Sequence, residues 1–105
     1  MIDLDGVLDD YTHYTDEIPN IRKGAKDFVK MLSKDYELIL FTTRSPKLSV
    51  EWLKSNKIDK YFKDVTNIKY PAYLYIDDRS VQFRGDYNKT LDEINHFNVY
   101  WKNQP

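Results

Sequence analysis

Short apolar runs alternate with amphipathic stretches along this chain, and the alternation predicts an α/β fold. The apolar runs predict strands at residues 1–4, 37–41 and 73–76, with a shorter strand near residue 65. The amphipathic stretches predict helices at residues 22–34, 45–55 and 88–97, and residues 99–101 are predicted to form an edge strand. Nearly continuous apolar strands are typical of parallel sheets covered on both faces. We therefore predict a three-layer sandwich with a central, mostly parallel, Rossmann-like sheet.

Two of the helices are predicted from different signals. In the first helix, apolar residues recur on one stripe: Ile21, Ala25, Phe28, Val29 and Leu32. The second helix begins with Ser45 and Pro46, a hydroxyl residue suited to the N-cap and a proline suited to the first helical position. We expect this second helix to bury Leu48, Trp52 and Leu53.

Length and composition limit the class of protein. The 105 residues suit one domain, so residues 1–105 are predicted to form a single core domain. The net charge of -1 and the 41% of hydrophobic residues exclude a polybasic nucleic-acid arm and a disordered chain. The absence of cysteine excludes disulfides, thiolate metal sites and cysteine nucleophiles. The longest apolar run, residues 72–76, is too short for a membrane helix, so we expect a cytoplasmic protein without a membrane partner.

Acidic residues gather where two of the predicted strands end. Residues 1–21 contain no Lys or Arg, and Asp3 and Asp5 follow the first apolar residues of this segment. A second pair, Asp77 and Asp78, directly follows the predicted strand at residues 73–76. The carboxyl ends of parallel strands share one edge of a sheet, so we expect the two pairs to meet in one crevice. Carboxylates that close require a proton or a cation, and an oxygen-only cluster suits a hard ion such as Mg²⁺.

Other polar residues fall at matching places in the chain. Thr42, Thr43 and Arg44 follow the predicted strand at residues 37–41, and Lys69 precedes the strand at residues 73–76. A hydroxyl, an ammonium group, a metal ion and a free carboxylate together describe a phosphoryl-transfer site. In such a site the carboxylate attacks phosphorus, while the cations and the hydroxyl neutralise the phosphoryl oxygens.

The order of these residues resembles the four motifs of the haloacid dehalogenase (HAD) superfamily. The segment at residues 3–8 resembles the first motif, Thr42 the second, Lys69 the third, and residues 77–78 the fourth. The similarity covers residues 1–90, and it implies a HAD-like core. Within the superfamily, residues 75–79 are similar to the corresponding segment of small capless hydrolases and of 5'(3')-deoxyribonucleotidases.

This resemblance implies a Mg²⁺-dependent phosphomonoester hydrolase. Asp3 would be the nucleophile that forms an aspartyl-phosphate, and Asp5 would be the general acid and then the base. Mg²⁺ would be bound by the Asp3 side chain, the Asp5 backbone carbonyl and Asp78. Asp77 would orient a metal-bound water or Lys69. The resemblance equally allows Asp77 and Asp78 to exchange these two roles.

The resemblance also assigns the phosphate contacts and the class of substrate. Thr42 and Lys69 would hold the transferring phosphoryl group. Apart from the resemblance, Thr43 is a further candidate for phosphate or substrate binding, and Arg44 is expected either to contact substrate or to pair with a carboxylate of the site. The expected substrate is a phosphorylated small molecule, a nucleotide or a nucleic-acid end.

Two departures from the superfamily pattern shape these expectations. Only Met1 and Ile2 precede Asp3, so the first strand is expected to be short at its amino end. This motivates an alternative function, a HAD-like binding or regulatory module with weak catalysis. Neither residues 9–20 nor residues 43–68 leave room for a cap domain. The site is therefore expected to be open, to accept a large substrate or to be covered by another subunit.

Overall fold

Three parallel strands form the centre of an α/β fold. The computed structural model describes residues 1–103. The strands are β1 (Ile2–Asp3), β2 (Leu38–Phe41) and β3 (Phe62–Thr66), and they lie in the order β1-β2-β3. Ile2 lies opposite Leu40 in the register of β1 and β2, and both strand pairs are parallel. The predicted α/β class with a parallel central sheet is therefore confirmed, and the short strand predicted near residue 65 is present as β3.

Three helices accompany the sheet. They are α1 (Ala25–Leu32), α2 (Pro46–Ser55) and α3 (Tyr87–Asn95), and two short 3₁₀ turns span Asp59–Tyr61 and Tyr100–Asn103. Ser45 caps α2 as predicted, because its side chain accepts a hydrogen bond from the Leu48 backbone N–H. Helix α1 is shorter than predicted because it begins only after Gly24, whose φ of 89° is left-handed.

The hydrophobic core lies between the sheet and the first two helices. Its buried members are Ile2, Leu4, Leu8, Ala25, Val29, Leu38, Leu40, Leu53 and Ile58. The expectation that Leu48 is buried is wrong, since it is exposed, and Phe28 of the apolar stripe of α1 is exposed as well. Leu48 lies one residue before Ser49, which together with Leu53 marks the inward face of α2 at a spacing of four. Phe28 is likewise offset by one residue from the buried face of α1.

The predicted strand at residues 73–76 is wrong as an element. Ile76 alone forms a parallel bridge, opposite Ile2, while Tyr73 is 86% exposed. The Asp3 N–H donates to the Ile76 carbonyl at 2.9 Å, and the Ile76 N–H donates to the Met1 carbonyl at 3.0 Å. The two-residue β1 offers no longer edge for pairing, so only the end of the apolar run joins the sheet. This pairing still places residue 77 next to the end of β1.

The predicted edge strand at residues 99–101 is also wrong. Val99 and Trp101 are buried, but residues 100–103 form a 3₁₀ turn that pairs with no strand. Their apolar side chains are covered by packing against other segments of the chain, which produces the same apolar sequence signal as a strand.

The described residues contain neither a cap domain nor a helix able to cross a membrane. The segments between β1 and α1, and between β2 and β3, hold only loops, α2 and a 3₁₀ turn, as expected for a capless core. No helix within residues 1–103 combines the length and the apolar character that crossing a bilayer requires.

Candidate active site

Three carboxylates meet at the carboxyl edge of the sheet. Asp3 is the last residue of β1, and Asp77 and Asp78 follow the bridged Ile76. Each of the three side chains offers a carboxylate oxygen, and these oxygens all lie within 4.8 Å of one another. Strand pairing therefore brings the two acidic pairs of the sequence together, with the exception of the Asp5 side chain.

The Asp3 carboxyl lies in an unfavourable place for a negative charge. Burial raises the pKa of Asp3 to about 8, and a hydrogen bond to Asp78 and the charges of Asp77 and Asp78 add to the effect. Without a cation, the cluster therefore holds a proton near neutral pH. A divalent cation among these oxygens would replace that proton and relieve the repulsion, so the donor set fits a hard, oxygen-seeking ion.

The turn after β1 brings the two acidic segments into contact. The N–H groups of Val7, Leu8 and Asp9 all donate to the Leu4 carbonyl, at 3.2, 2.9 and 3.3 Å, which winds the chain tightly. Gly6 lies in this turn with a φ of 81°. A Cβ atom at this position would collide with the Asp78 carboxylate, so the close approach requires glycine.

Asp5 is held in an ion pair away from the three clustered carboxylates. The Arg44 Nε lies 2.9 Å from Asp5 Oδ2 and 3.1 Å from Oδ1. The same guanidinium donates through Nη1 to the Thr15 carbonyl at 2.7 Å. Arg44 is buried, so this charged pair joins the turn after β1 to the loop at residues 15–16. Of the two roles predicted for Arg44, substrate contact or pairing with a site carboxylate, the structure shows the pairing, with Asp5.

Asp9 is a buried carboxyl group that the sequence interpretation did not select. Its Oδ1 accepts the Gly6 N–H at 3.0 Å. Its Oδ2 is buried and accepts no hydrogen bond from any donor group within residues 1–103. Burial raises the pKa of Asp9 to about 8, with a further contribution from a hydrogen bond with Asp5. A protonated Asp9 therefore donates to the Asp5 carboxylate. The sequence signal that could have identified Asp9 as a buried residue is its position directly after the apolar residues Val7 and Leu8.

The two adjacent threonines have different surroundings. Thr42 is buried, and its hydroxyl accepts the Arg44 backbone N–H at 3.1 Å. Thr43 lines an open cavity of about 240 Å³ together with Asp3 and Asp5. Both were predicted as phosphate contacts, and in the described geometry Thr43 faces the cavity.

Lys69 and Thr43 line different cavities, and Asp3 borders both of them. Its Nζ is 4.3 Å from the centre of the Tyr75 ring, a cation–π distance. Lys69 and Asp3 line a second cavity of about 100 Å³, and Asp3 and Asp77 belong to both cavities. Lys69 therefore lines the same cavity as Asp3 and Asp77, and its role as a phosphate contact stays a prediction.

Aromatic residues complete the larger cavity. Tyr11, Tyr14 and Arg79 also line it. Trp101 packs against Tyr11 and Arg79, and its Nε1 donates to Asp78 Oδ2 at 2.6 Å. The sequence interpretation did not select Tyr11, Tyr14 or Trp101, because isolated aromatic residues carry no motif. Only the contact across 23 residues between Trp101 and Asp78 identifies the tryptophan as part of this region.

Comparison with known protein families gives one match. The model of the NLI interacting factor-like phosphatase family (NIF) matches residues 2–102. No curated protein and no solved structure gives a significant match. Because the match covers nearly the whole chain, the chain belongs to the NIF family of HAD-like phosphatases. The predicted HAD resemblance and phosphatase class are confirmed at this level, and the similarity to deoxyribonucleotidases stays a prediction.

Proposed function

We propose that this NIF-family phosphatase hydrolyses a phosphomonoester through a covalent intermediate on Asp3. The observation that carries the proposal is the position of Asp3, at the end of β1 and within 4.8 Å of two further carboxylates at the wall of an open cavity. A carboxylate oxygen of Asp3 would attack phosphorus, forming a P–O bond as the ester P–O bond breaks. Water would then attack the aspartyl-phosphate, releasing phosphate and restoring the Asp3 carboxylate.

Asp5 is proposed as the general acid and base of this reaction. In the first step it would give a proton to the departing ester oxygen, and in the second it would accept one from water. This role is supported by the position of Asp5, which lies two residues after Asp3 and lines the same cavity. The Arg44 Nε contacts both oxygens of the Asp5 carboxylate, at 2.9 and 3.1 Å, and so fixes its orientation at the cavity wall.

Mg²⁺ is proposed as the cofactor, held by Asp3 and Asp78, with Asp77 beside them and the Asp5 backbone carbonyl as a further ligand. The fit rests on the close set of oxygen donors and on the raised pKa of Asp3, which a cation would lower. When bound, the ion would neutralise charge on the phosphoryl oxygens. Thr43 and Lys69, which each share a cavity with Asp3, would contact the same oxygens, and the buried Thr42 would hold the adjoining loop through its hydrogen bond with the Arg44 N–H.

The proposed substrate is a nucleotide or the phosphorylated end of a nucleic acid. Tyr11 and Tyr14 line the cavity that contains Asp3, and aromatic rings of this kind can stack on bases. The cavity is open, so only part of a larger substrate would need to enter it. A comparison of nucleoside monophosphates with sugar phosphates would test the preference, and faster turnover of the sugar phosphates would contradict it.

The central experiment measures hydrolysis of an aryl phosphate with Mg²⁺ and with a chelator. We expect Asp3→Asn to lower turnover by roughly 10³-fold or more, because the amide cannot act as the nucleophile. Asp10→Asn is the matched control, since Asp10 is an exposed carboxylate in the same segment. Equal turnover by wild type and Asp3→Asn would contradict the assignment of Asp3.

The two-residue β1 keeps a second candidate function open, that of a binding module with weak catalysis. Calorimetry with inorganic phosphate distinguishes the two functions. Phosphate binding in the presence of Mg²⁺, together with no turnover of any phosphomonoester by the wild-type protein, would favour the module.

A further inference from the structure

Residues near the end of the described chain reach the turn that follows β1. The Tyr100 hydroxyl donates a hydrogen bond to the Gly6 carbonyl, and the Trp101 indole N–H donates to Asp78 Oδ2 at 2.6 Å. Tyr100 and Gly6 are 94 residues apart in the sequence. The 3₁₀ turn at residues 100–103 therefore contacts both acidic segments of the candidate site.

The indole ring of Trp101 is held by its neighbours. Tyr11 packs edge-on against it, with ring centres 5.1 Å apart and an angle of 81° between the planes. The Arg79 guanidinium lies 5.1 Å from the centre of the Trp101 ring, at a cation–π distance. Trp101 is only 5% exposed. These contacts fix the direction of its N–H bond, so the hydrogen bond to Asp78 is preorganised.

Asp78 Oδ2 is engaged by the protein itself. The indole N–H donates to this oxygen, and the space where a Gly6 side chain would lie is filled by the same carboxylate. Asp78 also offers an oxygen to the cluster that contains Asp3 and Asp77. A carboxylate bonded in this way has a fixed orientation, so the oxygen that Asp78 offers to the cluster is held in place.

We propose that Trp101 is a positioning residue that orients Asp78 for cation binding. This inference rests on the proposed metal site, and it adds a residue from outside the four motifs. Phenylalanine at position 101 would keep most of the ring packing against Tyr11 and Arg79 but would lack the N–H donor. Hydrogen bonds from such supporting residues to metal ligands typically alter metal affinity by roughly 10- to 100-fold when removed.

Calorimetric titration with Mg²⁺ tests the proposal without any assay of activity. We expect Trp101→Phe to bind Mg²⁺ at least about tenfold more weakly than wild type. Trp52→Phe is the matched control, because the Trp52 Nε1 also donates one hydrogen bond, to the Pro19 carbonyl at 3.0 Å, but lies outside the carboxylate cluster. We expect Trp52→Phe to retain wild-type affinity.

Fluorescence provides a second readout that does not depend on folding of the Trp101 variant. The chain has two tryptophans, so Trp52→Phe leaves Trp101 as the single indole. We expect Mg²⁺ to change the emission of Trp101 in this protein with the midpoint found by calorimetry. The emission of Trp52 in Trp101→Phe, if that variant folds, is expected to stay constant.

The outcomes separate this inference from the proposed function. If wild type binds no Mg²⁺, the metal site and the role of Trp101 are both overturned. If wild type binds Mg²⁺ and folded Trp101→Phe binds it equally well, the role of Trp101 alone is overturned. If Trp101→Phe does not fold, constant Trp101 emission during Mg²⁺ binding by Trp52→Phe overturns that role.

Discussion

Replacing Asp9 by asparagine is expected to stabilise the protein at neutral and alkaline pH. The Asp9 side chain is fully buried, and its pKa is raised from 3.8 to about 8. Asparagine has the same shape, its oxygen can accept the Gly6 N–H, and its amide can donate toward Asp5 as the protonated acid does. The substitution thus removes an ionisable group while keeping its hydrogen bonds.

The sign of the effect follows from proton binding in the two states. Below pH 3.8 the Asp9 carboxyl is protonated in both folded and unfolded protein, so the variant gains nothing. Between pH 3.8 and about 8 only the folded state keeps the proton, and the stability of wild type falls as the pH rises. Above about pH 8 the loss is complete.

The magnitude comes from the size of the pKa shift. One pKa unit corresponds to about 1.4 kcal/mol, so the shift of Asp9 sets an upper limit of about 6 kcal/mol. Because the Asp9 carboxyl is hydrogen-bonded to a neighbouring carboxylate, we expect a smaller measured gain for Asp9→Asn, about 2–4 kcal/mol at pH 8. This is a large fraction of the 5–15 kcal/mol typical of a whole domain.

Urea unfolding at pH 5, 7 and 8, with a chelator present, provides the measurement. The difference in unfolding free energy between Asp9→Asn and wild type should grow across this series. Asp10→Asn serves as the control, because Asp10 is exposed and lies 3.8 Å from Arg22 in a surface ion pair of little energetic consequence. A gain that does not change with pH, or a loss of stability at pH 8, would refute the reasoning.

Three further substitutions, one of them with a matched control, test the structure at other points. Gly6→Ala should destabilise the protein by about 2–4 kcal/mol in urea unfolding, because it strains a left-handed residue and displaces Asp78. The control Gly85→Ala should cost only about 1–2 kcal/mol, because Gly85 is also left-handed but has open space around it. Ser45→Ala should cost about 0.5–1 kcal/mol in the same assay through loss of the α2 cap. Leu53→Ala should cost about 2–5 kcal/mol, because Leu53 is buried in the core; a cost below 1 kcal/mol would contradict its core position.

Signals that act over a few residues predicted the local elements well. Ser45 and Pro46 marked the start of α2 because capping depends only on the first turn of a helix. The apolar run before Thr42 predicted β2 because a strand buried in a parallel sheet must be apolar on both faces. Residues 73–76 carried the same signal, but strand formation there depended on the length of β1, a property of another segment.

The candidate site was predicted where a motif carried it and missed where distant contacts built it. The order of the acidic pairs implied that Asp3 and Asp78 meet, since parallel strands share their carboxyl edge. The order of residues could not show that the Asp5 side chain turns toward Arg44, because that choice depends on a rotamer and a loop carbonyl at Thr15. The contact of Trp101 with Asp78 likewise depends on packing at the opposite end of the chain.

The cost of burying carboxylates is itself evidence that this region has a function. Asp3 and Asp9 both have pKa values raised to about 8, mainly by burial, and a chain of 105 residues has a modest core with which to offset that cost. Apolar residues would fill both positions at lower free energy if folding alone mattered. Asp9 lies beside Asp5, and Trp101 donates a hydrogen bond to Asp78, so both contact carboxylates of the candidate site. A cation bound among Asp3, Asp77 and Asp78 would stabilise the folded state and so offset part of the free energy spent on burying Asp3. The stability of the fold is thereby coupled to the proposed chemistry of its site.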